Sequence, residues 1–209
     1  GPIHGVIALA ADVPQTVAAV MTALGLPGIS VETARLTSDK FAMKLRFLET
    51  GIPIPWFAAV ASARFPNCEE LRTLVGPWDG VPLVLKPVDS RGARGVLRLT
   101  RGVDLAWAFA HSQSHSPTGR VMLEQWLEGP QISTETVLHD GWAETPGFID
   151  RNYSRLDEFA PHIIEDGGEQ PSILSPADQQ AICDVAERAA RALGITEGIA
   201  KGDMVLTPD

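Results

Sequence analysis

Apolar and polar positions along the 209-residue chain change period several times, and each change marks a new element. The first apolar run, Gly5-Val6-Ile7-Ala8-Leu9-Ala10-Ala11, predicts a buried strand closed by Asp12. Val13 to Leu24 then carries apolar residues at Val17, Val20, Met21 and Leu24, a helical spacing stopped by Gly25 and Pro27. One strand and one helix cannot cover a sheet alone, so this end reads as the tail of a Rossmann-like unit. Asp39 to Glu49 predicts the next helix, with Ser38 as its N-cap and Gly51 as its stop. Ile52-Pro53-Ile54-Pro55 is extended, since proline disfavours helix for itself and for the residue before it. Trp56 to Val60 reads as a strand and Cys68 to Val75 as a short helix.

The middle of the chain, PLVLKPVDSRGARGVLRL from Pro82 to Leu99, organises the rest. A short apolar run ends at Lys86, a polar loop containing Ser90, Gly92 and Gly95 follows, and Val96-Leu97-Arg98-Leu99 resumes the strand pattern. A lysine at a strand end beside a glycine loop suits phosphate, the ammonium giving charge and the loop N–H groups giving donors. The same residues also fit an ordinary hairpin with a solvated lysine, because the loop is neither a Walker P-loop nor a dinucleotide fingerprint. Val103–Ser112 predicts a helix and Val121–Glu124 a strand. Ile132–Leu138 and Trp142–Asp150 predict an antiparallel pair turning at Asp140-Gly141. Asn152 to Pro171 has no period and reads as loop. Pro176 to Leu193 is the clearest helix: Ser175 caps it, Gly194 closes it, and Ile182, Val185, Ala186, Ala189 and Leu193 share one face. Gly198 to Leu206 predicts a last strand. Mixed helices and strands in this order make the fold class α+β.

Composition narrows the function. A formal charge of −9, with no Lys/Arg run, argues against a nucleic-acid surface. No apolar run reaches the ~20 residues needed to cross a bilayer, so no membrane partner is expected. Cys68 and Cys183 lie far apart in expected helices, which argues against a disulfide framework and fits a reducing cytoplasm. His111 and His115 are spaced for one helix face, yet lack an acidic or Cys companion, and read as a helix end rather than a metal site.

Asp39-Lys40, Gly51-Ile52-Pro53-Ile54-Pro55, Leu85-Lys86-Pro87, Glu124-Gln125-Trp126-Leu127-Glu128-Gly129 and Gly202-Asp203-Met204-Val205-Leu206 occur in this order along the chain. Together they resemble the ATP-grasp superfamily, most of all its carboxylate–amine ligases, with D-alanine–D-alanine ligase, carbamoyl-phosphate synthetase and biotin carboxylase as relatives. The resemblance implies two α+β subdomains clasping ATP. It implies boundaries at 1–37 for the Rossmann-like tail, 38–124 for the subdomain with the phosphate loop, and 125–209 for the second subdomain.

It also implies roles. Glu124 accepts from the adenine amino group at the hinge, and the backbone of Trp126 and Leu127 meets the adenine edge. Lys40 and Lys86 neutralise phosphates, and the loop with Ser90, Gly92 and Gly95 folds over them. The family's acidic ribose-binding position falls on Gln131, which keeps hydrogen bonding but not charge, and Glu135, at even spacing, can share that task. Asp203 corresponds to the first Mg²⁺ ligand, and the family's further ligands fall beyond Asp209. Lys201 matches a basic residue that stabilises the transferred phosphoryl group. Arg151 and Arg155 fall where the family's substrate loop lies. The implied chemistry is an ATP-dependent ligation: a carboxylate becomes an acyl phosphate and an amine or thiol attacks it. Small-molecule carboxylate and amine substrates are the implied partners, with a homodimer as one assembly. The 209 residues are expected to be a fragment that does not turn over alone. A bicarbonate-activating enzyme and a non-catalytic ATP-binding domain are the alternatives.

Overall fold

The computed structural model describes residues 1–8, 11–60, 73–74, 76 and 81–208. Three helices lead the chain: α1 (Pro14–Leu24), α2 (Val31–Ser38) and α3 (Lys40–Thr50). α1 ends where Gly25 takes a left-handed φ of 64° and its N–H returns to Met21 and Thr22 carbonyls. α2 is an addition to the sequence reading. Its residues VETARLTS have no apolar stripe, but the Ser30 hydroxyl accepts from the Thr33 N–H, and Thr33 and Ala34 are buried. Because α2 runs through Ser38, Asp39 rather than Ser38 caps α3, accepting from the Phe41 and Ala42 N–H groups at 3.0 Å.

The expected strand at Gly5–Ala11 does not form in its described part. Gly5 to Ala8 pair with no described strand, and Ile7 is 69% exposed. An apolar run becomes a strand only where a neighbour satisfies its backbone groups. The structure shows a helix pair, not a Rossmann-like strand–helix unit, among the described residues of that end. The helix expected over 68–75 lies outside the described residues apart from 73–74.

The chain divides into two compact units. One comprises Pro55–Glu128 and Asn152–Gly167. Its antiparallel sheet has the order β1-β4-β2-β3, from β1 (Phe57–Val60), β2 (Leu83–Pro87), β3 (Leu97–Leu99) and β4 (Val121–Gln125). Alternation sends Leu83, Leu85, Leu97, Leu99 and Leu123 to one face, where they bury against Ala108 and Phe109 of α4 (Leu105–Ser114).

The other unit comprises Gly1–Ile54, Gly129–Arg151 and Gly168–Asp209. Its sheet contains β5 (Gln131–His139), β6 (Trp142–Asn152), β7 (Gly167–Glu169) and β8 (Gly198–Val205), in the order β7-β6-β5-β8. Asp140 and Gly141 turn the β5–β6 hairpin with φ of 51° and 81°, as that dipeptide predicts. Ile132, Phe148 and Met204 pack on Ile182 of α5 (Pro176–Ala192). Leu138, Ala190, Leu193 and Ile195 form a second cluster with Met43 and Phe47 of α3. The buried stripe of α5 is Ile182, Ala186 and Ala190; Val185 and Ala189, expected on it, are its half-buried flanks.

Candidate functional site

In the first sheet the face turned away from α4 is polar. Val84 stands opposite Glu124 on β4 and Arg98 on β3, and Lys86 stands opposite Met122. Lys86 and Glu124 are therefore diagonal neighbours on one face, and Lys86 Nζ lies 2.5 Å from Glu124 Oε2. Both are largely buried, with side chains 17% and 8% exposed. The β4 strand runs straight into Trp126, whose N–H donates to the Pro82 carbonyl at 3.1 Å, while the Gln125 N–H donates to Trp56. Those bonds fix Trp126 half-buried beside the polar face, with Leu127 next in the chain. The Arg98 guanidinium lies over its ring, 4.8 Å from the centroid.

The loop between β2 and β3 is tethered at both ends. Asp89 accepts from the Ser116 and Thr118 hydroxyls and from the Thr118 N–H. Burial alone raises the Asp89 pKa, but those donors outweigh it and hold the carboxyl below its ordinary value. The Ser112 hydroxyl donates to Gly95 O at 2.6 Å. Gly95, at φ 76°, has no room for a side chain, because a Cβ would stand 2.7 Å from His115 Cβ. Between the tethers, Arg91 to Arg94 are exposed; Gly92 and Ala93 both take left-handed backbone there. Ser90 sits just inside the first tether.

The second sheet repeats the arrangement with other residues. On β5, Gln131 faces Arg151 and Val205, Ser133 faces Ile149 and Asp203, and Glu135 faces Gly147 and Lys201. Gln131, Glu135, Arg151, Lys201 and Asp203 therefore share the face turned away from α5. Arg151 Nη1 donates to Asp203 Oδ1 at 3.0 Å, with Asp203 60% exposed. Gly202 keeps β8 close: a Cβ there would approach Thr134 Oγ1 to 2.7 Å on the closed face. Asp203 offers hard oxygen on an open face, which fits Mg²⁺ when phosphate and water complete the shell. Among the described residues, no group of three or more His, Cys, Asp or Glu is placed to hold a metal. Lys40 is the first residue of α3, in this same unit and half-buried.

Arg155 belongs to the 152–167 segment of the first sheet's unit, forms a two-pronged bond to Glu158 at 2.7 and 2.6 Å, and stacks on Phe159. His111 in the last turn of α4 and His115 just past its end do lie together, joined by His162 from the 152–167 segment, with ring centroids 4.7 and 5.4 Å from His111. Burial first, and then the neighbouring imidazoles, push the His111 pKa down. Sequence reading missed His162 and, more consequentially, Arg98. Arg98 is the one polar residue in Leu97-Arg98-Leu99, and that break in an apolar strand is the signal that marks it.

No protein-family model matches the chain. D-alanine–D-alanine ligase of Pseudomonas putida (strain GB-1) is 29% identical over 185 residues, covering 87% of this chain and 55% of the relative. The VanG D-Ala:D-Ser ligase from Enterococcus faecalis superposes with a TM-score of 0.78 at 20% identity, over 93% of this chain and 56% of that one. The L-amino acid ligase from Bacillus licheniformis gives 0.71 at 22% identity, over 93% of this chain and 43% of its own. The chain thus spans about half the length of the ligases it matches.

Proposed function

We propose that this chain, whose fold is the ATP-grasp fold of those ligases, is the nucleotide-binding part of an ATP-dependent carboxylate–amine ligase. The observation that carries the proposal is the Lys86–Glu124 pair on the polar face of the first sheet, beside Trp126 at the strand end. An adenine ring needs an apolar wall and a few fixed polar groups. Trp126 offers the wall and the Glu124 carboxylate accepts from the exocyclic amine. The Trp126 N–H is committed to Pro82, so the backbone of Leu127 takes the adenine edge. Lys86 faces the phosphates next to the tethered loop, whose exposed tip excludes water above them.

The second sheet supplies the charge chemistry. Lys201, and Lys40 from α3, neutralise the phosphoryl group in transit, where fixed cations matter most. Gln131 and Glu135 take the ribose hydroxyls. Arg151 or Arg155 takes the carboxylate of a small substrate, giving up an exposed carboxylate partner for it. Asp203 would hold Mg²⁺, which when bound spreads the charge of the ATP phosphates. The substrate carboxylate takes the γ-phosphoryl group as ADP leaves, and an amine then attacks the acyl carbon of the acyl phosphate, forming the C–N bond as phosphate leaves. No helix among the described residues is long and apolar enough to cross a membrane. The free thiol of Cys183 fits a reducing cytoplasm.

The test is calorimetric titration of ATP and adenosine into the parent and Lys86→Ala. Loss of a charge-assisted phosphate contact should weaken ATP by about 10- to 100-fold, with adenosine almost unchanged. Equal losses for both ligands, or no nucleotide binding by the parent, would refute the placement. Product analysis of the full-length protein with amino acids against bicarbonate then separates ligase from carboxylase chemistry.

A further inference from the structure

Arg98 has no role in the sequence reading, yet it joins three segments of its unit. Its side chain is 15% exposed although it carries a full charge. The guanidinium lies over Trp126, Nη1 donates to Asp157 Oδ1 at 2.8 Å, and Nη2 stands 3.9 Å from Glu128 Oε1. Its own backbone N–H donates to the Pro161 carbonyl, so the 152–167 segment is bound to β3 through main chain and side chain together. Nε is buried with no hydrogen-bond partner among the described residues, and so is Trp126 Nε1. Leaving such donors unpaired costs free energy. Two buried unpaired donors in stacked side chains indicate that the ring's place is set by the stack and not by hydrogen bonds of its own. Arginine suits this work because its flat, delocalised cation can stack on a ring while its edge binds carboxylates.

We infer that Arg98 is a positioning residue for the nucleotide: it clamps the Trp126 ring against the adenine position and, through Asp157, ties the 152–167 segment to that ring. The inference rests on the nucleotide site proposed above. It makes adenine affinity depend on a residue that touches neither phosphate nor metal. It also makes Asp157, an exposed carboxylate outside the site, a contributor to the same affinity through its hold on Arg98.

Titration of ATP and adenosine into Arg98→Met, Arg98→Lys, Trp126→Leu and the Arg98→Met/Trp126→Leu double variant tests it. Arg98→Met should weaken both ligands together by about 3- to 10-fold, the equivalent of one cation–π contact. Arg98→Lys keeps the charge beside Asp157 but loses the flat stack, so it should fall between parent and Arg98→Met. It also serves as the reporter if the methionine variant folds poorly. The double variant should lose no more than Trp126→Leu alone, because Arg98 acts through that ring. Unchanged adenosine affinity in Arg98→Met, or losses that multiply in the double variant, would overturn the inference and leave the site standing. A parent chain that binds neither ATP nor adenosine would remove the site and the inference with it.

Discussion

Lys86 and Glu124 meet on a sheet face where both side chains are nearly withdrawn from water, whereas Arg151 and Asp203 meet on a face where the carboxylate is mostly solvated. Each pair is a cation and a carboxylate on one sheet face, Lys86 and Glu124 on adjacent strands, Arg151 and Asp203 on the two strands that flank β5, both set by the same two-residue alternation. Their surroundings make them different objects. In the first unit, removing either partner takes the counter-charge from a group nearly withdrawn from water. In the second, water can take the place of Arg151 beside Asp203 at little cost, because that carboxylate is 60% exposed. Under the proposed function this division is useful. The adenine wall needs a fixed shape, while Arg151 and Asp203 must be able to exchange each other for a substrate carboxylate and a metal.

The sharpest way to break the comparison is to remove one partner from the withdrawn pair. Lys86→Met removes the cation that sits against the withdrawn Glu124 carboxylate and should cost about 3 kcal/mol of unfolding free energy, the lower end for a broken buried pair. Lys86→Met combined with Glu124→Leu should recover more than half of that. Urea denaturation at neutral pH reads both values, and a loss below about 1 kcal/mol would class this pair with the solvated one.

A smaller change is expected in the second unit. Arg151→Met should cost no more than about 0.5 kcal/mol in stability, and raising the salt to about 1 M should erase the difference from the parent. A salt-resistant loss several times larger would mean that Arg151 is part of the packing there and not an exchangeable partner for Asp203.

The smallest effects come from protonation, and they have opposite signs in the two units. His111 titrates below the ordinary imidazole value because burial, then His115 and His162, oppose its charge. The unfolded chain therefore takes up that proton first as pH falls. The associated stability is intact above the ordinary value and is lost on acidifying through it toward the folded value. His139 is the reverse. Its hydrogen bond to Glu197, then the Glu197 charge, raise its pKa, so its contribution is present below the ordinary value and is lost as pH rises through the folded one. An NMR titration of the imidazole resonances between about pH 5 and 8 should place the His111 midpoint clearly to the acid side of His139. Coincident midpoints would erase this difference between the units.

Local rules made much of the chain legible. Asp140-Gly141 specifies the β5–β6 turn because few other dipeptides tolerate two positive φ values in a row. Ser175, Pro176 and Asp178 announce the start of α5, and the Ser175 hydroxyl accepts from the Asp178 N–H as that spacing requires. Even spacing also placed Lys201 and Asp203 on one face before any register was known. Other elements escaped because their cause is not local. α2 has no apolar period; packing of its small buried residues, Thr33 and Ala34, supports it. Gly5 to Ala8 carry a strand's composition without a described strand to pair with.

Sequence by itself determined which side chains carry charge, which strands alternate, where turns must fall, and that five short motifs follow one another in the order of a known fold. Those depend on covalent geometry and on steric rules that act over a few residues. Only the tertiary structure decided which charges meet. Lys86 reaches Glu124 across 38 positions, Arg98 reaches Asp157 across 59, and Arg151 reaches Asp203 across 52. Such partners are chosen by sheet register and by which face a helix covers, and both follow from packing the whole unit.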